Sequence, residues 1–344
     1  MRLSLPRFSR MRHFFPVIIF LICLLPVRSS AQYDSVLNRI TFLKTDFDTS
    51  YIYLVPKDWE AHLYMQFKYN SFESSDKGGK QNIFFDPLSN VSLGGGGSYT
   101  NFSLDYGIAI ATNRNDSTNA RGFDFITSLY VGQHIFDFGI RRYKGYYVSG
   151  FDSSTNSPFS TFRNDIVTAN LFVNYLYNFN YKRFSLNSSF IGTEIQRKSA
   201  GAPLAGIFFQ YNDLHANESV VPPQLEYPNN KLLPISEANI WSTGLIAGYA
   251  YTFVLPLHFY LTLSLVPGIT LNAGEVKTDH YFGIGNPVTI SYKLISKNAF
   301  GFSSSHFYGY MAITSDRSWI RLNKDEQFMN DLGKWVVLLG YLIK

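Results

Sequence analysis

The sequence has very little cysteine and little charge for its length. Its single cysteine, Cys23, lies near the start, so the rest of the chain has neither a disulfide framework nor a thiolate metal site. Charged residues are 16% of the chain, against roughly 25% in an average soluble domain. No run of about 18 apolar residues follows residue 31, so we expect no transmembrane helix. Aromatic residues, in contrast, reach 17%, and this combination favours an outer-membrane β-barrel with aromatic girdles.

Residues 1–31 have the pattern of a cleaved secretory signal peptide. An arginine-rich start precedes an apolar core at residues 14–27, and small residues at positions 29–31 provide a cleavage site. A membrane anchor is the alternative interpretation, but the apolar core is short and is interrupted by Pro16 and Pro26. The sequence therefore predicts export.

The net charge of +5 comes from this leader. It holds five of the 30 Lys and Arg residues and none of the 25 Asp and Glu residues, so the remaining chain is formally neutral. Without a basic surplus there is no electrostatic argument for nucleic-acid binding, and no nucleic-acid partner is expected.

Alternation of apolar and polar residues is the main structural signal, and it is clearest between residues 241 and 271. In the second half of this stretch the residues of one face are Leu257, Phe259, Leu261, Leu263, Leu265, Ile269 and Leu271. The opposite face carries His258, Tyr260, Thr262, Ser264, Gly268, Thr270 and Asn272. A period of two over about 15 residues exceeds the five or six of a typical strand. Lipid is the simplest partner for so long an apolar face, so the pattern predicts a transmembrane antiparallel β-barrel.

About twelve such strands are predicted, within a range of ten to fourteen. Residues 32–58 precede the barrel as a periplasmic segment, and residues 59–344 form it. Bacterial barrels alternate short periplasmic turns with long outer loops. That alternation is kept if residues 183–197 are the seventh strand and residues 198–238 are one large outer loop. Residues 204–211, inside this loop, are then a hairpin arm above the membrane or a segment folded into the lumen.

Four short motifs carry a resemblance to a known family. They are RYKGYY at residues 142–147, QRKSAG at 196–201, GYAY at 248–251 and GY at 340–341. The chain resembles domain-of-unknown-function family 4421, exported proteins of Gram-negative bacteria that are predicted to be outer-membrane β-barrels. The resemblance implies a bacterial outer-membrane location and insertion by the barrel assembly machinery. It implies no particular activity.

Charged residues near two of these motifs are the candidate functional residues. The candidate lumen and rim cluster comprises Asp137, Arg141, Arg142, Tyr143, Lys144, Glu194, Arg197 and Lys198. Alternation places Asp137, Arg141 and Tyr143 in the lumen. Arg142 and Lys144 point outward near the outer rim, unless a bulge at Gly145 reverses the phase.

Glu194, Arg197 and Lys198 end the predicted seventh strand, near the same outer rim. One hypothesis is a basic constriction that selects anionic solutes. The other is a structural network in which Arg141 and Arg197 are the cations. Asp137 and Glu194 are then their partners, and this hypothesis is favoured because buried charges usually pair.

The sequence offers little for catalysis. It contains no G-x-S-x-G nucleophile elbow, and its histidines after the leader lack H-x-x-x-H spacing. We therefore expect no enzyme, cofactor or metal site, the alternative being an outer-membrane lipid or ester hydrolase. The predicted role is a small-solute channel or a surface-binding barrel in contact with outer-membrane lipids. A closed structural barrel without transport and a soluble β-sandwich are the remaining alternatives.

Overall fold

The computed structural model describes residues 46–56, 59–76, 82–88, 90–99, 102–111, 121–152, 157–222, 234–278, 284–321 and 326–343. The predicted signal peptide at residues 1–31 and most of the predicted periplasmic segment lie outside these ranges, so both stay predictions. Within them, no helix is long and apolar enough to cross a membrane.

The described residues form fifteen strands, which we number in chain order. They are β1 Ile52–Leu54, β2 Trp59–Asp76, β3 Asn82–Pro87, β4 Asn90–Tyr99, β5 Phe102–Ala111, β6 Arg121–Val131, β7 His134–Asp152, β8 Ser157–Asn178, β9 Glu194–Gln196, β10 Ala200–His215, β11 Ile235–Val254, β12 Phe259–Thr278, β13 Ile284–Ser303, β14 Phe307–Arg321 and β15 Glu326–Ile343. Short 3₁₀ turns lie at Asn187–Ser189 and Pro256–His258.

Ten strands close an antiparallel ring. Their order is β2, β3, β7, β8, β10, β11, β12, β13, β14 and β15, and β15 pairs back onto β2 from Ile343–Trp59 to Glu326–Asp76. Antiparallel closure of this kind lets neighbouring strands satisfy one another's backbone groups where they run side by side, which a lipid environment favours. The predicted transmembrane antiparallel β-barrel is confirmed. The ring has ten strands, inside the predicted range but fewer than twelve.

Three further strands, β4, β5 and β6, widen the barrel over one half of its height. β3 pairs with residues Phe72 to Ser75 of β2 and with residues Tyr146 to Gly150 of β7. β4 pairs with residues Trp59 to Phe67 of β2 and also with β5. β6 pairs with residues His134 to Lys144 of β7. A cross-section of the barrel at the height of residues Trp59 to Phe67 therefore contains β4, β5 and β6, and it does not contain β3. The predicted number was twelve because β4, β5 and β6 were counted as full strands and β3 was not recognised.

The widened half is at the end of the barrel with tight turns, which we call the short-turn end. Two of these turns are Gly132–Gln133, between β6 and β7, and Pro256–His258, between β11 and β12. The opposite end is called the far end.

The outer face is apolar along the long strands, as the alternation predicted. Exposed side chains on β11 and β12 are Trp241, Leu245, Tyr249, Phe253, Leu263, Leu265, Ile269 and Leu271. The buried, inward-facing ones are mainly small and polar: Ser242, Ala250, Thr252, Thr262, Ser264, Thr270 and Asn272. An apolar exterior around a polar interior is the pattern of a barrel in lipid.

The prediction for residues 183–238 was wrong. Residues 200–215 span the barrel as β10, which pairs with β11 from Ala200–Thr252 to His215–Glu237 and with β8 on its other side. Residues 183–197 do not span it. The rule of short periplasmic turns misled the assignment, because here a long connection lies at the short-turn end. The connection at the far end covers residues 216–234, not 198–238.

That long connection folds back into the lumen together with the segment before the barrel. We call residues 46–56 and 179–199 the plug. Inside it β1 pairs with β9, from Ile52–Gln196 to Leu54–Glu194. Phe184 and Leu186 are buried against side chains of the barrel wall, including Leu176. Apolar burial of this kind is what holds a plug in a lumen that is otherwise polar.

An apolar layer closes the far end of the lumen, and we call it the cap. It contains Phe72, Phe85 and Tyr146, with the rings of Phe72 and Phe85 stacked at 4.1 Å between centroids. Val220 and Val221, after β10, are buried in the same cluster. The cap therefore combines wall residues with part of the far-end connection.

Candidate functional site

Between the plug and the cap, buried polar side chains meet across the lumen. We call this set the polar layer: Asn70, Asn170, Asn174, Gln210, Asn212, Lys293, Asp316, Ser318 and Asn330. Asn212 Oδ1 accepts bonds from Asn170 Nδ2 at 2.8 Å and from Asn330 Nδ2 at 2.8 Å. β10 and β15 are at opposite positions of the ten-strand ring, so the second bond crosses the whole lumen.

A buried ion pair belongs to the same layer. The Lys293 ammonium is fully buried, bonds to Asp316 and donates to Gln210 Oε1 at 2.8 Å. Asp316 Oδ2 also accepts from Asn174 Nδ2 at 2.9 Å, a contact between β14 and β8, again on opposite sides of the ring. A buried charge is tolerated when it is paired and fully hydrogen-bonded, and this one is.

Sequence reasoning placed Asp137 in the lumen correctly but assigned it the wrong partner. Asp137 Oδ1 lies 2.5 Å from Lys297 Nζ and accepts from Ser128 Oγ at 2.6 Å. Lys297 comes from β13, the strand opposite β7 in the ring. Lys293 and Lys297 were both missed, although they occupy inward positions of β13 four residues apart. The period-two pattern already applied to β11 and β12 would have found them.

Arg141 is also a lumen residue, and its contacts brace the wall. Its Nε lies 3.0 Å from Asp124 Oδ1, and its Nη1 donates to the backbone oxygen of Tyr69 at 2.7 Å. Tyr143, predicted to face the lumen, is buried and donates to Asp124 Oδ2 at 2.6 Å. The guanidinium thus joins β7, β6 and β2, and its acidic partner is Asp124 rather than Asp137 or Glu194.

Arg142 and Lys144 point outward and are exposed, as predicted. After them the phase reverses. Gly145 has a φ of 90°, and the register between β7 and β8 shifts between Lys144 and Tyr146. Tyr143 and Tyr146, three residues apart, are therefore both buried inside the barrel. A bulge of this kind uses glycine because a positive φ strains other residues.

Glu194, Arg197 and Lys198 do not lie at the same end of the barrel as Arg142 and Lys144, which corrects the prediction. They belong to the plug at the short-turn end. Glu194 accepts from Ser185 Oγ and from Asn187 Nδ2, the latter at 3.0 Å, and burial raises the pKa of its carboxyl. The Arg197 guanidinium lies 4.4 Å from the Tyr53 ring centroid, a cation–π contact within the plug. The candidate cluster is therefore divided between the lumen, the outer surface and the plug.

A central cavity of about 280 Å³ lies between the polar layer and the plug. Wall residues that line it include Glu60, His62, Asn174 and Lys297, and plug residues include Asn187 and Phe190. His62 Nδ1 lies 2.5 Å from Glu60 Oε1, and Tyr308 donates its hydroxyl to the same carboxyl. This wall can form hydrogen bonds.

Metal binding finds no support in the described ranges, where no group of three or more His, Cys, Asp or Glu side chains is placed to hold an ion. The acidic side chains of the lumen are instead distributed among separate contacts with Lys, Arg, His and Tyr.

A family model described as "Domain of unknown function (DUF4421)" matches residues 46–341. No curated protein matches the chain. Among solved structures, it is similar to the outer membrane protease OmpT from Escherichia coli at 9% identity and a TM-score of 0.36, covering 85% of this chain and 98% of that one.

Two other solved structures are similar at the same low level. The P. putida toluene transporter TodX has 7% identity and a TM-score of 0.28, with 84% of this chain and 91% of that one covered. A bacterial polysaccharide outer membrane secretin has 7% identity and a TM-score of 0.31, with 83% and 98% covered. Similarity this low carries no activity from those proteins to this chain.

Proposed function

We infer that this chain, which belongs to the DUF4421 family, is an outer-membrane β-barrel whose lumen is closed to free diffusion. The observation that carries the proposal is contact between opposite walls. Asn330–Asn212, Asn174–Asp316 and Lys297–Asp137 each join strands at opposite positions of the ring. An aqueous pore needs a continuous water path, which these contacts interrupt.

The width of the ring gives the physical reason. An eight-strand barrel is just wide enough for side chains to fill, and ten strands are only slightly wider. Long polar side chains such as Lys297 therefore reach the opposite wall. The widened half would leave more space, and there the plug occupies the lumen. A barrel closed by plug, polar layer and cap favours the alternative of a closed structural barrel over the predicted small-solute channel.

The apolar outer face, the antiparallel closure and the family support an outer-membrane location. With short turns on the periplasmic side, as in bacterial barrels generally, the plug faces the periplasm and the cap faces outward. Outer-membrane lipids are then its surroundings, and the barrel assembly machinery its route of insertion. The proposed role is non-catalytic, since the lumen charges Lys293, Lys297 and Arg141 are all used in bracing contacts.

Planar bilayers test the closed lumen. Purified full-length protein is reconstituted beside a general porin in a separate membrane, which controls for insertion. We expect no steady conductance above the membrane background at moderate voltage. Stable, stepwise currents from folded protein would overturn the proposal. Hydrolysis of a lipid or ester substrate by the same preparation would overturn the non-catalytic role.

A further inference from the structure

A second cavity lies at the short-turn end, between the plug and the turns that join the wall strands. We call it the mouth cavity. Its volume is about 530 Å³, within the range of roughly 300 to 1,000 Å³ that is typical of ligand pockets. Its described lining includes Arg197 of the plug, His258 of the turn between β11 and β12, and Ser305 of the turn between β13 and β14. None of its described lining residues is shared with the central cavity.

The charges of the mouth cavity have one sign. Among the described lining residues, Arg197 and His258 are those that can carry a charge near neutral pH, and none is an Asp or Glu. Lys198, next to Arg197 in the chain, adds to the positive charge beside the cavity. The acidic side chains described at this end already have partners: Asp46 with Lys182, Asp48 with Arg183, Glu194 with Ser185 and Asn187, and Glu60 with His62 and Tyr308. A concave surface with cations and no facing carboxylate attracts an anion.

Both basic groups are accessible and have hydrogen-bond donors to spare. Arg197 is exposed, and its guanidinium lies over the Tyr53 ring. One contact of 3.5 Å, from Nη1 to the backbone oxygen of Thr49, uses one of its five N–H donors. His258 is exposed too, and its ring has no hydrogen-bond partner among the residues that the structure describes. Guanidinium and imidazole N–H groups are suitable donors to phosphate oxygens.

The turn that carries His258 keeps this side chain at a conformational cost. Leu257 and His258 have φ values of 59° and 66°. A hairpin turn with positive φ at both central positions favours Asn-Gly, because most other side chains are strained there. Residues held in strained conformations are concentrated at ligand-binding and active sites. The turn therefore indicates that the imidazole has a role besides joining two strands.

We propose that the mouth cavity binds a phosphate ester, with Arg197 and His258 donating to the phosphate oxygens. The rest of the volume, beside the apolar lining residues Val254, Leu255 and Phe259, holds the organic part of the ligand. Two sources carry this chemistry: soluble esters and phospholipid headgroups at the edge of the barrel. Because Arg197 belongs to the plug and His258 to the wall, the bound ligand joins the two. The site does not depend on whether the lumen conducts.

The test is isothermal titration calorimetry on full-length protein in an uncharged detergent without phosphate. Glycerol 3-phosphate is compared with glycerol, and dihexanoyl phosphatidylglycerol with dihexanoylglycerol. In at least one pair, we expect the phosphate-bearing probe to bind about ten-fold more tightly, as hydrogen bonds to a charged group predict. The pair that shows the preference identifies the source. The preferred probe should also slow proteolysis of residues 179–199. No preference in either pair would overturn the proposal.

Variants connect the binding to the two donors. Arg197→Gln and Lys198→Gln are a matched pair, since each removes one exposed positive charge from the plug and only Arg197 lines the cavity. Arg197→Gln should weaken the preferred probe about ten-fold, and Lys198→Gln about two-fold at most, as for a screened surface charge.

His258→Gly separates binding from folding. Glycine adopts a positive φ freely, so the unfolding midpoint should not fall, while the preferred probe should bind about ten-fold more weakly. Equal losses in Arg197→Gln and Lys198→Gln, or unchanged binding in His258→Gly, would show that these side chains do not hold the phosphate and would overturn the proposal.

Discussion

Asn330 of β15 donates a 2.8 Å hydrogen bond to Asn212 of β10, although the two strands are at opposite positions of the ring. The acceptor, Asn212 Oδ1, also receives bonds from Asn170 and Gln210. One oxygen thus ties together three donors from three strands. A junction of this kind holds the walls at a fixed separation.

We predict that Asn212→Ala destabilises the barrel by about 2 kcal/mol, because it leaves three buried donors without their acceptor. Urea unfolding followed by heat-modifiable gel mobility measures the change. Lys277→Ala is the control, since its pair with Glu237 is exposed and should matter by less than about 0.5 kcal/mol. Equal midpoints for the two variants would contradict the bracing role.

Lys297→Met should destabilise the protein by about 3 to 5 kcal/mol, because it leaves Asp137 buried without its partner. Replacing both residues, in Lys297→Met with Asp137→Leu, should recover most of that loss. A double-mutant cycle on urea midpoints measures the coupling. Additive single effects would mean that the two residues do not act as a pair.

Glu194→Gln should remove a pH dependence from the docking of the plug in the lumen. Burial raises the pKa of the Glu194 carboxyl above its ordinary value of 4.5, so the folded state favours the protonated form. Plug docking is therefore strongest below pH 4.5 and weakens as the pH rises and the carboxyl ionises. Hydrogen exchange of residues 179–199 between pH 4 and 8 measures this. We expect exchange to accelerate with pH, beyond the intrinsic rate, only in the unaltered protein.

The carboxyl of Asp48, in the same plug, has a pKa that is shifted in the opposite direction. A hydrogen bond from the Ser50 hydroxyl, assisted by the Arg183 charge, lowers the pKa of the Asp48 carboxyl below 3.8. Its stabilising effect is present above pH 3.8 and is lost as the pH falls through the lowered pKa. Asp48→Asn should therefore loosen residues 46–56 at neutral pH and have no effect in strong acid. Protease cleavage of this segment at both pH values distinguishes the two residues.

Gly145→Ala should cost about 1 kcal/mol, because alanine is strained at a φ of 90°. The substitution acts at the bulge that turns both Tyr143 and Tyr146 inward. Unfolding midpoints measure the cost. An unchanged midpoint would show that the bulge is not held in the strained conformation.

The sequence predicted which side chains of the long wall strands face outward or inward, but not which of them meet inside the barrel. Alternation on β11 and β12 is a local property, so the outward position of Leu245 and the inward position of Thr262 follow from counting. The same count placed Asp137 and Arg141 inside. Their partners depend on which strands are opposite in the closed ring, and Lys297 lies 160 positions further along the chain than Asp137. No periodicity along the chain contains that information.

The plug assignment failed for a different reason. The spanning position between β8 and β11 could be assigned either to residues 183–197 or to residues 200–215, because both segments contain apolar residues. β10 occupies this position because its backbone pairs with β11 over residues 200–215 and with β8 over residues 204–215. The signal that could have identified β10 is its small residues, Ala200, Gly201 and Ala202, which let neighbouring strands and the plug approach closely.

The pairing of β1 with β9 also joins two distant parts of the chain. β1 precedes the first wall strand, yet Ile52 is joined to Gln196, which follows the eighth strand of the chain. The beginning of the described chain is therefore held at two places: by β9 within the plug and by β15 at the seam, where Ile343 meets Trp59.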